Sequence, residues 1–156
     1  MCLRKIEQRL APLKAFSERA LTPVVLLAMR LYVAKAFFLS GKLKLGYVLD
    51  GHTDTLYSLF AETYKVPLLP TKLAAWMGMC GELGLSTLLA LGLFARFGAL
   101  GLIVMSGIVY YVEVYSLDAA GTTRADYWAL ICALIAVHGP GKWSLDALIC
   151  RKKTDG

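Results

Sequence analysis

Four apolar stretches, each about long enough to cross a bilayer, constrain this chain more than anything else in it. A helix needs roughly 20 mostly apolar residues to span about 30 Å of hydrocarbon. The stretches fall at about 23–45, 71–93, 95–115 and 126–143, the last being the shortest. Pro23 suits the first turn of its helix, where a missing N–H leaves no bond unmade. The second and third stretches meet at Leu93-Phe94-Ala95, so they must form a tight antiparallel hairpin. Composition agrees, with 58% AVILMFWYC and only 18% charged residues, against roughly 45–50% and 25% for soluble domains. The charges crowd at the two ends and in two internal gaps. A soluble four-helix bundle would carry a polar stripe along each helix, and these stretches mostly lack one. The net charge of +6 does not point to nucleic acid, because the basic residues flank apolar stretches and line no polar face. The expected fold class is all-α, an integral membrane four-helix bundle with the lipid bilayer as its first partner.

The first stretch does not read as a cleaved leader. Its charged lead is 22 residues long, Arg30, Lys35 and Lys42 interrupt it, and no A-x-A-like site follows sensibly. In that lead, Leu3, Ile6, Leu10, Leu13 and Phe16 recur at steps of three and four between Arg4, Lys5, Arg9 and Lys14. Residues 1–22 thus read as a basic amphipathic helix lying in the membrane interface, bent or broken at Pro12. Packing of that helix on a soluble partner is the alternative. Residues 23–149 then form the four-helix unit, and 150–156 a basic tail. Between the first two spans, Leu56, Leu59, Phe60 and Tyr64 share one face, so 54–65 reads as a short helix on the outer surface. Pro67 and Pro70 keep the following segment extended.

Basic residues orient the bundle. Arg4, Lys5, Arg9, Lys14, Arg19, Arg96, Lys142, Arg151, Lys152 and Lys153 fall on the side of both termini, against Lys44, Lys65, Lys72 and Arg124 opposite. Both termini should be cytoplasmic. Tyr110, Tyr111, Tyr115, Tyr127 and Trp128 gather at the outer ends of spans three and four as an aromatic belt.

Ionisable residues within a span cost several kcal/mol unless paired, so each is a site candidate. At about 1.5 Å per residue, Lys35 and Glu82 both lie about 17 Å from the start of their spans and match in depth. Lys42 matches Glu113 near the outer ends, and Arg30 and His138 fall in the cytoplasmic third. Lys35 and Lys42, seven apart, share a helix face that Arg30 does not. These residues either fix helix register alone or form a polar pocket that receives a ligand. No catalytic residue is assigned. Gly78, Gly81, Gly84, Gly98 and Gly101 permit close helix packing. The cysteines at 2, 80, 132 and 150 form no C-x-x-C pair. His52 and His138 lie on opposite sides, so no bis-histidine haem and no metal site is expected, and no intrinsic cofactor.

Three segments carry a family resemblance: RLYVAKAFFLSGKLKL (30–45), the stretch from YKVPLLPTKLAAW to GELGLSTLLALGLFARFGAL (64–100), and HGPGKWSLDALI (138–149). In order and spacing they resemble the DoxX family of small four-helix membrane proteins. The resemblance carries the family's arginine/glycine/lysine pattern onto Arg30, Gly41 and Lys42, and its glutamate onto Glu82. Gly92 and Arg96 follow at the hairpin, and the tail pattern falls on Gly139, Gly141, Ser144 and Asp146 as a structural motif. It implies a multi-pass protein of the prokaryotic cytoplasmic (inner) membrane, associated with redox systems and similar to a subunit of a quinone-linked oxidoreductase.

Three functions follow as expectations. The first is a membrane subunit whose pocket (Arg30, Lys35, Lys42, Glu82, Glu113, His138) accepts a quinone, with the catalytic cofactor on a protein partner. The second is a non-catalytic anchor or assembly partner for a soluble protein or a metal-binding peptide pathway, alone or as a homo-oligomer. The third is a small-solute or ion transporter, against which four short spans without a broken-helix repeat argue.

Overall fold

The computed structural model describes residues 20–64, 66, 69–116 and 124–152, with the side chains of 113–116, 124 and 150–152 left aside. The amphipathic segment at 1–19 lies outside these. The described chain is helical: α1 (Thr22–Leu49), α2 (Thr53–Ser58), a π-helical segment (Leu59–Tyr64), α3 (Thr71–Leu91), α4 (Ala95–Ser116), α5 (Arg124–His138) and α6 (Leu145–Lys152). Three helices, α1, α3 and α4, are long and apolar enough to cross a membrane. Their outward faces carry Leu31, Leu39, Leu43, Met77, Leu100 and Val104, all exposed. Water would penalise such a surface, whereas lipid tails do not. This is an integral membrane protein.

The fourth helix differs from expectation. α5 stops at His138, not near 143, and its 15 residues give only about 22 Å of helix. Gly139 turns out of the helix with φ 84, and Pro140 behind it cannot continue the ladder. The short helix expected on the outer surface is instead docked. Leu56 and Phe60 are buried against Ala74, Ala75 and Met79 of α3, and the helix passes into π geometry at Leu59. A second cluster fills the other end of the bundle, where Val33 and Phe37 of α1 meet Leu89, Ala99, Leu102, Cys132 and Ile135. Trp128, expected in the aromatic belt, packs edge-on to Phe37 with ring centres 5.2 Å apart. Tyr110, Tyr111 and Tyr127 are exposed.

The hairpin between α3 and α4 closes through two caps. Gly92 ends α3 in the left-handed region (φ 69), and Leu93 N–H reaches the Leu88 carbonyl at 3.0 Å, the bond pattern of a Schellman stop. The first amides of α4 find their acceptor far along the chain: Phe94 and Ala95 N–H donate to the Asp146 carboxylate at 2.9 and 3.1 Å. A carboxylate there also meets the positive end of the helix dipole.

Candidate functional site

One face of α1 carries Arg30, Val33, Ala34, Phe37, Gly41 and Lys44, all buried. Steps of three and four place them in one stripe toward α3. Lys35 and Lys42 fall off that stripe and are exposed. The partner of Glu82 is therefore Lys44, not Lys35 as depth alone suggested. Lys44 Nζ donates to both Glu82 carboxylate oxygens at 2.6 Å and to Ser40 Oγ at 2.9 Å. Both side chains are nearly sealed from the surface, at 3% and 6% exposure. The depth argument failed because α1 runs 28 residues, to Leu49, which puts Lys44 within the helix instead of at its outer end. Side chains on a helix also lean toward its N-terminus, so Lys44 reaches back down α1 to Glu82.

Gly41 makes the approach possible. A Cβ there would stand 2.8 Å from Leu83 Cγ and 3.1 Å from Glu82 Cβ, so any side chain would force α1 and α3 apart. The Tyr64 ring covers the ammonium at 5.2 Å, adding a cation–π contact that strengthens where water is excluded.

Beside the pair lies an apolar cavity of about 290 Å³ between α3, α4 and the π-helical segment. Phe60, Tyr64, Met77, Leu85, Met105 and Ile108 form its walls, and Glu82 borders it. Phe60 crosses over Gly78 to reach this position, and Met105 lies against Gly81. The volume sits near the small end of the roughly 300–1,000 Å³ usual for small-molecule sites. Chemically the site is an apolar slot, open past Met77 and Val104 toward the outward faces of α3 and α4, with one internally neutralised charge pair at its edge.

The other candidates are elsewhere. Arg30 is 1% exposed and donates to the carbonyls of Pro140 at 2.9 Å and Trp143 at 2.7 Å. It holds the loop after α5 against α1. Ser144 completes the clasp: its Oγ donates to the Gly141 carbonyl at 2.8 Å and accepts from Ala147 N–H at 3.1 Å, capping α6. Gly92, Arg30 and Ser144 converge so closely that no side chain fits at 92. His138 is exposed, with Nδ1 3.1 Å from the Leu134 carbonyl, and does not meet Arg30's partners. The Glu113 side chain lies outside the described residues, so its match with Lys42 does too. Cys80 is exposed on α3 and Cys132 buried. Among the described residues, Glu82 is the one expected pocket residue that lines the cavity. Lys44 is the residue that sequence reasoning missed, assigned to the outer anchors although it continues the Phe37–Gly41 stripe.

The DoxX family profile matches residues 25–113, from α1 through most of α4 and so across both halves of the ion pair. The chain belongs to the DoxX family. No curated protein and no solved structure matches it. Arg30, Gly41, Glu82, Gly92 and Arg96 fall inside the matched DoxX range, whereas Gly139, Gly141, Ser144 and Asp146 lie beyond it. The lysine carried over by resemblance, Lys42, is exposed, and the buried lysine in this DoxX chain stands two residues later.

Proposed function

We propose that this DoxX protein is the membrane subunit of a redox system and that its cavity holds the ring of a quinone-type carrier. The single observation behind this reading is the buried Lys44–Glu82 pair set against an apolar slot. Buried ion pairs are weak stabilisers, often no better than apolar residues of equal volume, so a pair placed at a cavity wall asks for another use. The residues suit the group: Phe60, Leu85, Met105 and Ile108 match an apolar ring and tail, and Glu82 marks the polar edge with its charge already neutralised by Lys44. When bound, a quinone supplies the two-electron chemistry. This chain's residues bind the ring, keep water away and orient it, and the substrate's own electrons arrive through a protein partner. In this reading α5 completes a four-span bundle with both termini cytoplasmic, in a prokaryotic inner membrane, in keeping with the basic residues concentrated on that side.

The test is purification in mild detergent followed by lipid extraction. A quinone at near one per chain, lost in Ile108→Trp, which fills the slot from α4, supports the reading. A retained soluble protein with no quinone overturns it in favour of an anchor or assembly partner for a soluble protein or metal-binding peptide pathway.

A further inference from the structure

The α3–α4 hairpin fixes where the last helix sits relative to the bilayer. α3 has 21 residues, about 31 Å of helix, which matches the roughly 30 Å of hydrocarbon. Only Gly92, Leu93 and Phe94 separate it from α4, so this tip lies at the hydrocarbon edge. Asp146 ties the start of α6 to the same level. Its N–H donates to the Gly92 carbonyl at 3.0 Å, and its carboxylate accepts from Phe94 and Ala95. From that anchor α6 runs along no other helix among the described residues. Its sides are reversed relative to a helix of a water-soluble domain. Asp146 and Ala147 border a groove shared with Phe94, Arg96 and Phe97. Leu145, Leu148 and Ile149, on one face at steps of three and four, are exposed, as is Trp143 just before them. Phe94 and Phe97 expose their rings at the same end, with centres 6.4 Å apart. Phe94 also has φ 47, a region that bulky side chains avoid, and burial of its ring does not offset that strain.

Charge is arranged to match. Arg96 is exposed and forms no hydrogen bond or ion pair among the described residues. Lys142 is exposed ahead of α6, Arg151 and Lys152 end the helix, and Lys153 follows. The one acid between residues 139 and 153, Asp146, is occupied by the amides that open α4. An apolar helix face at the hydrocarbon edge with cations around it is the make-up of a segment lying in the interface of an anionic membrane. We infer that α6, Trp143 and the hairpin phenylalanines form a binding surface for anionic phospholipid. Leu145, Leu148 and Ile149 lie among the upper acyl chains, and Arg96 and Lys142 meet the headgroup phosphates. A soluble protein would have to reach past the headgroups to cover the same face. The inference is independent of the quinone reading.

The experiment uses the full chain in lipid nanodiscs, with Trp76→Phe and Trp128→Phe leaving Trp143 as the single tryptophan. Its fluorescence is quenched in turn by aqueous acrylamide, by brominated phosphatidylcholine and by brominated phosphatidylglycerol, each lipid diluted in ordinary phosphatidylcholine. Both lipids should quench strongly and acrylamide weakly. A basic residue near an anionic surface contributes about fivefold in binding, so brominated phosphatidylglycerol should act at a mole fraction about fivefold lower or less. Arg96→Gln/Lys142→Gln should bring the two lipids together. Quenching by acrylamide alone overturns the inference and leaves the face to a soluble partner. Equal quenching by the two lipids in the parent chain overturns it as well, since the surface then does not read charge. Should the tryptophan replacements impair folding, the chain with all three tryptophans carries the test. Its melting point should be about 4 °C higher with phosphatidylglycerol than with phosphatidylcholine, and Arg96→Gln/Lys142→Gln should remove the difference. A melting point indifferent to the headgroup overturns the inference.

Discussion

Replacing Lys44 by methionine isolates the buried pair from everything around it. The side chain keeps its length and apolar stem and loses its charge, leaving the Glu82 carboxylate without a counter-ion at 5% exposure. Removing one partner of a buried pair costs about 3–5 kcal/mol. For a chain near this size each kcal/mol moves the melting point by about 2–4 °C, so the loss is on the order of 10 °C. The double change Lys44→Met/Glu82→Gln removes both charges and should recover most of that, leaving only an imperfectly bonded amide. Lys35→Met is the control: Lys35 is exposed, so its loss should leave the melting point within about 2 °C, the effect of a surface substitution. The assay is thermal unfolding in mild detergent, with membrane abundance measured alongside. If Lys35→Met destabilises as much as Lys44→Met, or if the double variant is as unstable as the single, the pairing deduced here is wrong.

Gly92→Ala should abolish stable accumulation in the membrane, since its φ of 69 disfavours a side chain and a Cβ would press on Ser144 Cβ at 2.5 Å; normal abundance would refute the convergence at the hairpin. Asp146→Ala should lower stability by about 0.5–2 kcal/mol, the usual loss of a helix cap, with Asp146→Asn milder because an amide oxygen still accepts; equal losses in the two would refute capping by the side-chain oxygen, and an Asn variant as stable as wild type would remove the dipole contribution. Reporter fusions at Gly51 and after residue 152 should report opposite sides of the membrane, the second cytoplasmic; the same side for both would overturn the four-span arrangement.

Fold and site were legible to different depths. Spans one to three were readable because hydrocarbon demands long apolar runs, and their starts at Pro23, Thr71 and Ala95 coincide with proline and hairpin signals. The end of α5 was misjudged because a window of hydropathy passes smoothly through Gly139 and Pro140, while the backbone does not. Glu82 was identifiable from its cost in a membrane. Its partner was not, because rise per residue alone treats every residue of a helix as equally able to face a neighbour. The stripe from Arg30 to Lys44 held the missing information: Gly41 marks which side approaches α3, and only Lys44 shares it. Arg30's true partners are backbone carbonyls more than a hundred residues away, and carbonyls carry no sequence signature. The docking of Phe60 was likewise invisible, since a row of apolar residues fits a membrane surface as well as a protein groove.

The arginine clasp has a bearing on how the protein is made. Arg30 enters the membrane early in synthesis, yet both of its acceptors, Pro140 and Trp143, leave the ribosome about 110 residues later. During that interval α3, α4 and α5 are made while the guanidinium lacks both of its acceptors, and the amides that open α4 wait for Asp146. Synthesis of the loop after α5 thus brings together three things at one moment: the charge of α1, the turn between α3 and α4, and that loop itself. A nascent chain cut short before residue 140 would keep an unsatisfied arginine and an uncapped helix at the membrane face, the kind of exposed polar defect on which quality-control proteases act. Closure of the bundle is thus checked by a contact between its first helix and the loop that follows α5.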